Sequence, residues 1–372
     1  MSKVLIVGAG LAGAVCANQL SSHGAYDVTV IDQRSHVGGN CHTSRDENTL
    51  VMEHVYGPHI FNTSIPRVWE FVNKHGEWVP YINRVKAQSD TGIYSMPINL
   101  HTINQFFGKT FSPLEAKRFV TKTLSQSRYA DAQNFEEQAK FLIGEELYKE
   151  FFYHYTKRQW GCEPTSLPAS ILKRLPVRFD YNDNYYNSTW QALPRHGYTK
   201  FTTDLLAGAK VELDTPYSHS LRSLYDFVIF TGPIDAFYNH EFGRLAYRTV
   251  YWSKSFMLCD DSNSLQGTAV INNCSSSGAH TRSHEHKYFT PWEKHHGTIL
   301  LTEFSKETSP TDIPFYPKRL PADMEKLSKY QELASQDPRV HFCGRLGTYS
   351  YMNMDLVIDQ ALTLSQKIIS AS

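Results

Sequence analysis

Several features that would narrow the function at once are missing from this sequence of 372 residues. Its six cysteines are scattered without C-x-x-C spacing, which argues against a disulfide framework or a zinc site and fits a reducing compartment such as the cytoplasm. Lysine plus arginine and aspartate plus glutamate each total 37, so no basic excess is available for nucleic acid. No apolar run approaches the ~20 residues of a membrane span. His284 and His286 would share a strand face without a third ligand, so no metal site is predicted.

The N-terminus carries a nucleotide-binding pattern. Val4–Val7 is a short aliphatic run typical of a buried strand, and Gly8, Gly10 and Gly13 follow it in G-x-G-x-x-G spacing. A second strand is predicted to end just before Asp32. The glycines permit a tight turn, close approach to a pyrophosphate and helix-on-strand packing, while the helix N-terminus attracts phosphate. We therefore predict a Rossmann βαβ unit in which Asp32 accepts hydrogen bonds from ribose hydroxyls.

Two further stretches favour FAD over NAD as the dinucleotide. The sequence RSHVGGN, Arg34 to Asn40, places a second glycine pair directly after Asp32. Near the C-terminus, VHFCGRLGTY predicts a strand that leads through Gly344 and Arg345 into a terminal helix. Both features are similar to FAD-binding two-dinucleotide-domain proteins. No second fingerprint for a hydride donor follows, so electrons would come from an external reductant or the reaction has no net redox change.

The middle of the chain interrupts this cofactor unit. Residues 112–160 are predicted helical, with capping signals at Ser112 and Asn134 and a terminating Gly161. Residues 167–190 and 245–316 are rich in β-formers, proline and asparagine, and predict strands and loops. We expect an α/β protein with an FAD-binding Rossmann-like domain, a helical insertion domain and an antiparallel sheet domain. The predicted boundaries are 1–78, 200–242 and 325–372 for FAD, 100–165 for helices, and 79–99, 166–199 and 243–324 for the sheet and substrate domain.

Aromatic and arginine side chains are the candidates for substrate contact. Phe152 and Tyr155 share a helical face that leads to Trp160, and this stripe could equally be ordinary core. Arg174, Arg178 and Arg282 suit bidentate phosphate binding, although each could form a surface salt bridge instead.

These motifs together resemble the bacterial UDP-galactopyranose mutase family, and the similarity runs from end to end. The supporting stretches include VGAGLAGAVCAN, YGPHIFNT, YTKRQWG, LPASILKRLPVRF, TRSHEHKYF and GRLGTYSYMNMDLVI. The resemblance implies that pyranose and furanose forms of a nucleotide-diphosphate sugar, UDP-galactose foremost, are interconverted without net redox change. It implies that FAD must be reduced and that its N5 attacks the anomeric carbon while the nucleotide leaves. It also implies a homodimer.

The resemblance assigns roles to particular residues. Arg174 and Arg282 match the arginines that clamp the diphosphate, with Arg174 on a closing loop. The matching substrate contacts are Asn83, Phe152, Tyr155, Thr156, Trp160, Tyr185, Tyr316 and Tyr351. The matching cofactor contacts are Gly8, Gly10, Gly13, Asp32, Arg34, Gly39, Asn40, His59, Arg345 and Met354.

The sequence departs from the family pattern near the expected sugar end of the site. Asn62 replaces the second histidine of HIFHT, Met352 replaces a tyrosine and Asn353 replaces an aspartate, while Arg195-His196 precedes GYTK. Replacing aspartate with asparagine changes a pure acceptor into a mixed donor and acceptor. One hypothesis is a mutase for another hexose, such as an amino, 6-deoxy or epimeric sugar; the alternative is neutral drift among galactose mutases.

Two other classes stay open. A conventional FAD oxidase or dehydrogenase, such as an amine oxidase, would share the opening fingerprint but would not need Arg174 and Arg282. A non-catalytic protein that binds flavin or nucleotide sugar would retain binding without turnover.

Overall fold

The computed structural model describes residues 1–125, 129–174 and 177–371, except for the side chains of Ser170, Lys173 and Arg174. The helices are α1 (Leu11–His23), α2 (Pro66–His75), α3 (Leu100–Phe107), α4 (Pro113–Phe119), α5 (Phe135–Tyr148), α6 (His154–Trp160), α7 (Gly197–Leu205), α8 (Ile234–Phe237), α9 (Pro321–Ser335), α10 (Gly344–Gly347) and α11 (Met354–Ser370). The strands are β1 (Ser2–Val7), β2 (Tyr26–Ile31), β3 (Thr43–Arg45), β4 (Met52–His54), β5 (Phe61–Thr63), β6 (Trp78–Pro80), β7 (Val85–Gln88), β8 (Ile93–Met96), β9 (Trp190–Pro194), β10 (Lys210–Glu212), β11 (Phe227–Phe230), β12 (Tyr247–Leu258), β13 (Val270–Asn273), β14 (Arg282–Glu285), β15 (Gly297–Glu307), β16 (Tyr316–Pro317) and β17 (Val340–Phe342).

A parallel sheet joins the two ends of the chain. Its strand order is β10-β2-β1-β11-β17, and each neighbouring pair is parallel. Val4, Leu5 and Ile6 of β1 are fully buried because helices or loops cover both faces of such a sheet. Helices α1 and α11 pack together on one face, with Cys16 beside Ala361. This arrangement confirms the predicted Rossmann-like α/β fold.

A second, mixed sheet lies in the middle of the chain. Its order is β16-β12-β15-β14-β13-β7-β8, and every pairing is antiparallel except that of β13 with β7. The register places Arg282 of β14 opposite Glu303 of β15, and Arg248 of β12 opposite Tyr316 of β16. Residues far apart in sequence thereby become neighbours.

The helical segment begins and ends as the sequence predicts. The Ser112 hydroxyl and the Glu115 carboxylate form a capping box at the start of α4, and the Asn134 side chain accepts from the Glu137 N–H at the start of α5. Gly161 ends α6 in the left-handed region, at φ 66°. Within the residues described, no helix is both long and apolar enough to cross a bilayer.

The stretch 167–189 differs from the prediction of strands and loops. In its described part the backbone forms a short 3₁₀ turn at Ala169–Arg174 and then a loop, and the next strand along the chain is β9. The Asp180 carboxylate accepts from the Asn182 N–H at 2.9 Å, and the Asn182 side chain accepts from the Asn184 N–H at 3.0 Å. Such side-chain bonds satisfy the backbone locally, so the segment needs no strand partner. β9 instead forms a small sheet with β5 and β6, which joins segments predicted to lie in different domains.

Candidate functional site

A cavity of about 850 Å³ opens at the carboxyl ends of the parallel strands. Its size lies within the ~300–1,000 Å³ of small-molecule sites, and this edge of a parallel sheet is where such folds bind ligands. The predicted cofactor residues Gly8, Gly10, Asp32, Arg34, Gly39, Asn40, His59, Arg345 and Met354 all line it. Gly13 lies behind the lining.

Glycines bring bare backbone to the cavity wall. A Cβ atom on Gly13 would lie 1.9 Å from the Gly8 carbonyl oxygen, so only glycine lets α1 pack this closely on the first turn. Gly39 has φ +54°, and a Cβ atom there would lie 3.0 Å from the Gly10 Cα atom. The two glycine-rich turns therefore meet backbone to backbone at the cavity wall.

Asp32 and Arg34 form hydrogen bonds with the two glycine-rich turns. The Asp32 carboxylate accepts from the Ala9 N–H at 2.8 Å and from the Arg34 N–H at 2.9 Å. The Arg34 guanidinium donates through Nη2 to Asn40 Oδ1 at 2.9 Å and lies 4.8 Å from the centre of the Tyr56 ring. Its buried Nη1 has no hydrogen-bond partner among the described residues. A buried cationic donor without a partner suits an anionic ligand.

Arg345 connects the cavity with a second cluster. It lines the cavity, and its Nη2 donates to the Met352 carbonyl at 2.7 Å, which fixes the guanidinium. The same guanidinium lies 5.6 Å from the centre of the Tyr316 ring and 5.4 Å from that of Tyr351. Those two rings stack with centroids 5.8 Å apart, and Trp160 lies 6.5 Å from Tyr351. Four predicted site residues therefore form one continuous surface.

Arg282 is the cation of this second cluster. Its Nε donates to Glu303 Oε1 at 2.8 Å and its Nη2 to the Tyr316 hydroxyl at 3.3 Å. Glu303 is 1% exposed. Burial acts to lower the pKa of Arg282, but the charge of Glu303, the neighbouring Tyr155 and Tyr316 and the hydrogen bond to Glu303 together outweigh it and hold this pKa well above its usual value. The guanidinium therefore stays charged at every working pH.

Tyrosine hydroxyls surround this arginine. Burial raises the pKa of Tyr155, Tyr185 and Tyr316, and the nearby charge of Arg282 only partly opposes that rise. These phenols therefore remain protonated near neutral pH and can donate hydrogen bonds to an anion. The arrangement combines one fixed cation with several neutral donors.

His59 stands between the cavity and Arg282. The backbone N–H of His59 donates to His54 Nδ1 at 3.1 Å, and the ring Nδ1 of His59 lies 2.8 Å from the Gly57 carbonyl oxygen. Burial, reinforced by the charges of Arg345 and Arg282, lowers the pKa of His59 to about 4. The ring is therefore neutral at pH 7.

The remaining predicted residues are placed less directly. Phe152 is buried and faces a small apolar cleft with Leu172, while Asn83 is buried with its Oδ1 unpartnered among the described residues. Thr156 is buried as well. Asn62 accepts from the Ser188 hydroxyl at 2.8 Å and donates to the Ile60 carbonyl at 3.2 Å.

For two predicted residues, Asn353 and Arg174, the described part of the structure shows no contact with the site. Asn353 is exposed at the N-terminus of α11, and its side chain makes no capping bond there. The side chain of Arg174, predicted as a lid charge, lies outside the described residues.

Sequence reasoning missed Glu303 and did not predict the role that Arg178 has in the structure. Glu303 follows Ile299 and Leu301 on the buried face of β15, but only the strand register shows that it faces Arg282. Arg178 was a phosphate candidate, yet it donates to the Asn182 carbonyl at 3.0 Å and to Asn184 and Asn187. It therefore fixes the loop that carries Tyr185. The only sequence signal for this role is the run of asparagines that follows it.

The chain is similar to known proteins over its whole length. The family model described as UDP-galactopyranose mutase matches residues 150–351, and one described as an NAD(P)-binding Rossmann-like domain matches residues 6–75. A probable UDP-galactopyranose mutase of Klebsiella pneumoniae is 47% identical over 371 residues, covering 99% of this chain and 95% of that protein. A dTDP-fucopyranose mutase of Escherichia coli is 46% identical over 377 residues, covering 99% of both.

Solved structures share the architecture. A crystal structure of reduced UDP-galactopyranose mutase superposes with a TM-score of 0.76 at 16% identity, covering 100% of this chain and 96% of that one. A putrescine oxidase bound to putrescine superposes with a TM-score of 0.61 at 11% identity, covering 99% of each chain. At these identities the likeness concerns the fold alone.

Proposed function

This chain belongs to the UDP-galactopyranose mutase family, and on that premise we propose that it interconverts the pyranose and furanose forms of a nucleotide-diphosphate hexose, with UDP-galactose as the foremost substrate. The enzyme is an isomerase, and its reaction has no net redox change. The observation that carries the proposal is Arg345, which lines the large cavity and also packs against Tyr316 and Tyr351. A cofactor bound in the cavity would therefore lie next to a nucleotide sugar whose diphosphate is bound by Arg282.

The cofactor of this reaction is FAD, and the cavity residues fit it. The close contact of Gly10 with Gly39 leaves bare peptide groups for a pyrophosphate, and α1 begins at the cavity wall with its positive dipole end. Arg34 Nη1, which has no partner among the described residues, can pair with a phosphate, and the Asp32 carboxylate can accept from a ribose. When bound and reduced, FAD supplies the nitrogen nucleophile for the anomeric carbon.

The second cluster is proposed to hold the diphosphate. Arg282 stays charged, and its contact with Glu303 fixes the direction in which its Nη atoms can donate. The protonated hydroxyls of Tyr155, Tyr185 and Tyr316 add neutral donors. We assign Arg174 to the same group as a charge on a loop that closes. These groups stabilise the diphosphate as it leaves the sugar and hold it for its return.

The nucleoside and sugar are assigned to the residues around this cluster. Phe152 and Trp160 offer aromatic surface to the base, and Thr156 offers a hydroxyl. The buried Oδ1 of Asn83 has no partner in the described part of the chain and can accept from a sugar hydroxyl. The stacked Tyr316 and Tyr351 rings exclude water from the reacting carbon. His59 is neutral, so it adds no charge beside the cofactor.

Turnover with and without reduction tests the proposal. Purified FAD-loaded protein is incubated with UDP-galactofuranose and with a panel of UDP- and dTDP-sugars, with and without dithionite, and the products are separated by chromatography. Conversion that requires dithionite is expected. Conversion of no sugar in either state would refute mutase activity and favour an oxidase, which oxygen uptake with an amine substrate would reveal, or a binding protein.

A second candidate is the same chemistry on a 6-deoxy sugar. The relative named dTDP-fucopyranose mutase is about as similar as the galactose relative, at 46% against 47% identity. Asn62 and Asn353 are the positions where we expect the sugar to be distinguished. In the same panel, faster conversion of dTDP-fucose than of UDP-galactose would support this candidate, and the reverse order would exclude it.

We also propose a compartment, a source of electrons and an oligomeric state. All six cysteines are free in the structure, which suits the cytoplasm. Because no second dinucleotide fingerprint is present in the sequence, an external reductant must reduce the flavin. We also propose a homodimer, which light scattering on the purified protein would confirm or exclude.

A further inference from the structure

The buried side chain of Arg248 lies where helix α6 ends against the mixed sheet. Arg248 belongs to β12 and is 3% exposed. Its Nε donates to the Gln159 carbonyl at 3.0 Å, and its Nη2 donates to the Arg158 carbonyl at 3.3 Å. Carbonyls in the last turn of a helix have no partner within the helix, and a cation there also opposes the negative dipole end. Arg248 therefore caps α6 from another element.

The guanidinium is held on its other side as well. Nη1 donates to Glu307 Oε1 at 2.7 Å, and Nε donates to the Ser305 hydroxyl at 3.1 Å. That hydroxyl in turn donates to the Gln159 carbonyl at 2.8 Å. A Cβ atom on Gly161 would lie only 2.3 Å from Arg248 Nη1. The absence of a side chain at residue 161 is thus what admits the guanidinium to the helix end.

The backbone of Arg248 reaches the diphosphate cluster. Its Cα pairs with that of Tyr316 across β12 and β16, and its carbonyl accepts from the Phe315 N–H at 3.0 Å. One residue therefore ties the helix that carries Thr156 and Trp160 to the strand that carries Tyr316. Of these elements, α6 is assigned above to the nucleoside and β16 to the diphosphate.

We propose that Arg248 is a positioning residue that sets the distance between the nucleoside-binding helix and the diphosphate-binding strand. The proposal rests on the proposed function, because that function assigns the two elements to the two halves of the nucleotide. Arg248 does not belong to the described residues that line the cofactor cavity. Replacing Arg248 weakens binding of the nucleotide equally in the ground state and the transition state, so KM rises while kcat is retained.

The test compares two variants of the FAD-loaded enzyme with one control. Arg248→Lys keeps the charge but loses the planar fork that reaches two carbonyls, a hydroxyl and a carboxylate together. We expect KM for the nucleotide sugar and Kd for UDP to rise about tenfold together, with kcat and flavin absorbance unchanged. Ser305→Ala removes only the bridging hydroxyl, so a smaller rise in both constants is expected. Arg67→Lys alters an exposed arginine paired with Asp359 at 2.5 Å and should change neither constant.

Each outcome of these measurements supports or overturns the positioning role of Arg248. Unchanged KM and Kd in a folded Arg248→Lys enzyme overturn the proposal, and so does a fall in kcat and FAD content at constant KM. If Arg248→Lys does not fold, Ser305→Ala decides by the same two constants. Wild-type protein that binds neither UDP nor dTDP overturns the proposed function and this inference together, whereas wild-type binding that equals that of both variants overturns the inference alone.

Discussion

The pairing of Arg282 with Glu303 gives the sharpest test of the site. Replacing Arg282 by Met leaves a carboxylate that is 1% exposed; among the described residues its remaining side-chain neighbours are the Thr281 hydroxyl, which donates at 2.8 Å, and His284 Nε2 at 4.0 Å. Breaking a buried ion pair costs about 3–5 kcal/mol, and the low end applies because the Arg282 side chain is 24% exposed. We therefore expect Arg282→Met to lower the free energy of unfolding by about 3 kcal/mol.

The second substitution separates stability from catalysis. Adding Glu303→Gln removes the unpaired charge and should recover about 2 kcal/mol of that loss. Turnover should not recover, because the cation that faces the diphosphate is still missing; a loss of about 100-fold or more is expected in both variants.

The assay is a double-mutant cycle, measured by urea unfolding of the FAD-loaded protein and by initial rates of the reduced enzyme. The exposed pair of Arg84 with Asp183, at 3.1 Å, is the control, and its coupling should stay below about 1 kcal/mol. A coupling between Arg282 and Glu303 no larger than that of the control pair would refute the reasoning. Recovery of turnover in the double variant would refute the role assigned to Arg282.

Three further predictions use other parts of the molecule. Gly39→Ala places a Cβ atom 3.0 Å from the Gly10 Cα atom at φ +54°, so the purified protein should lose most of its bound FAD, measured by flavin absorbance per chain; full FAD content would contradict this. Arg178→Met frees the loop that carries Tyr185, so KM should rise about tenfold at normal FAD content, and an unchanged KM would show that the loop holds without it. Burial lowers the pKa of His59 to about 4 and that of His286 to about 3, so below pH 6.5 the unfolded chain binds more protons than the folded one. Stability should therefore be complete above pH 6.5 and fall with acidification, by up to about 1.4 kcal/mol per pH unit for each histidine, and a flat urea midpoint from pH 7 to 5 would contradict this.

Local patterns in the sequence predicted the cofactor half well. The run from Val4 to Asp32 formed strand, turn, helix and strand as expected, since each step depends on residues a few positions away. The capping residues Ser112 and Asn134 and the terminating Gly161 also acted where they were predicted. Backbone conformation at such positions is set by the residue itself, so the spacing of these residues along the sequence is sufficient to predict the helix boundaries.

Periodicity could not separate a pocket wall from ordinary core. Phe152 and Tyr155 share one helical stripe, yet Phe152 faces an apolar cleft while Tyr155 lies near Arg282. The stripe shows that both side chains point inward, but what they meet there depends on other elements. In the segment 167–189 the predicted loop forms but the described residues hold no strand, because the side chains of Asp180 and Asn182 satisfy backbone N–H groups locally.

The sequence by itself determined the dinucleotide unit, the helix boundaries and, through its motifs, the family of the protein. Only the tertiary structure decided that Arg282 faces Glu303, that Arg345 joins the cavity to the tyrosines, and that Arg248 caps a helix from another element. Secondary structure follows from short-range preferences, whereas these partners depend on strand order and register. A shift of one residue in β14 would turn Arg282 to the opposite face of the sheet, and no local pattern in the chain records that choice.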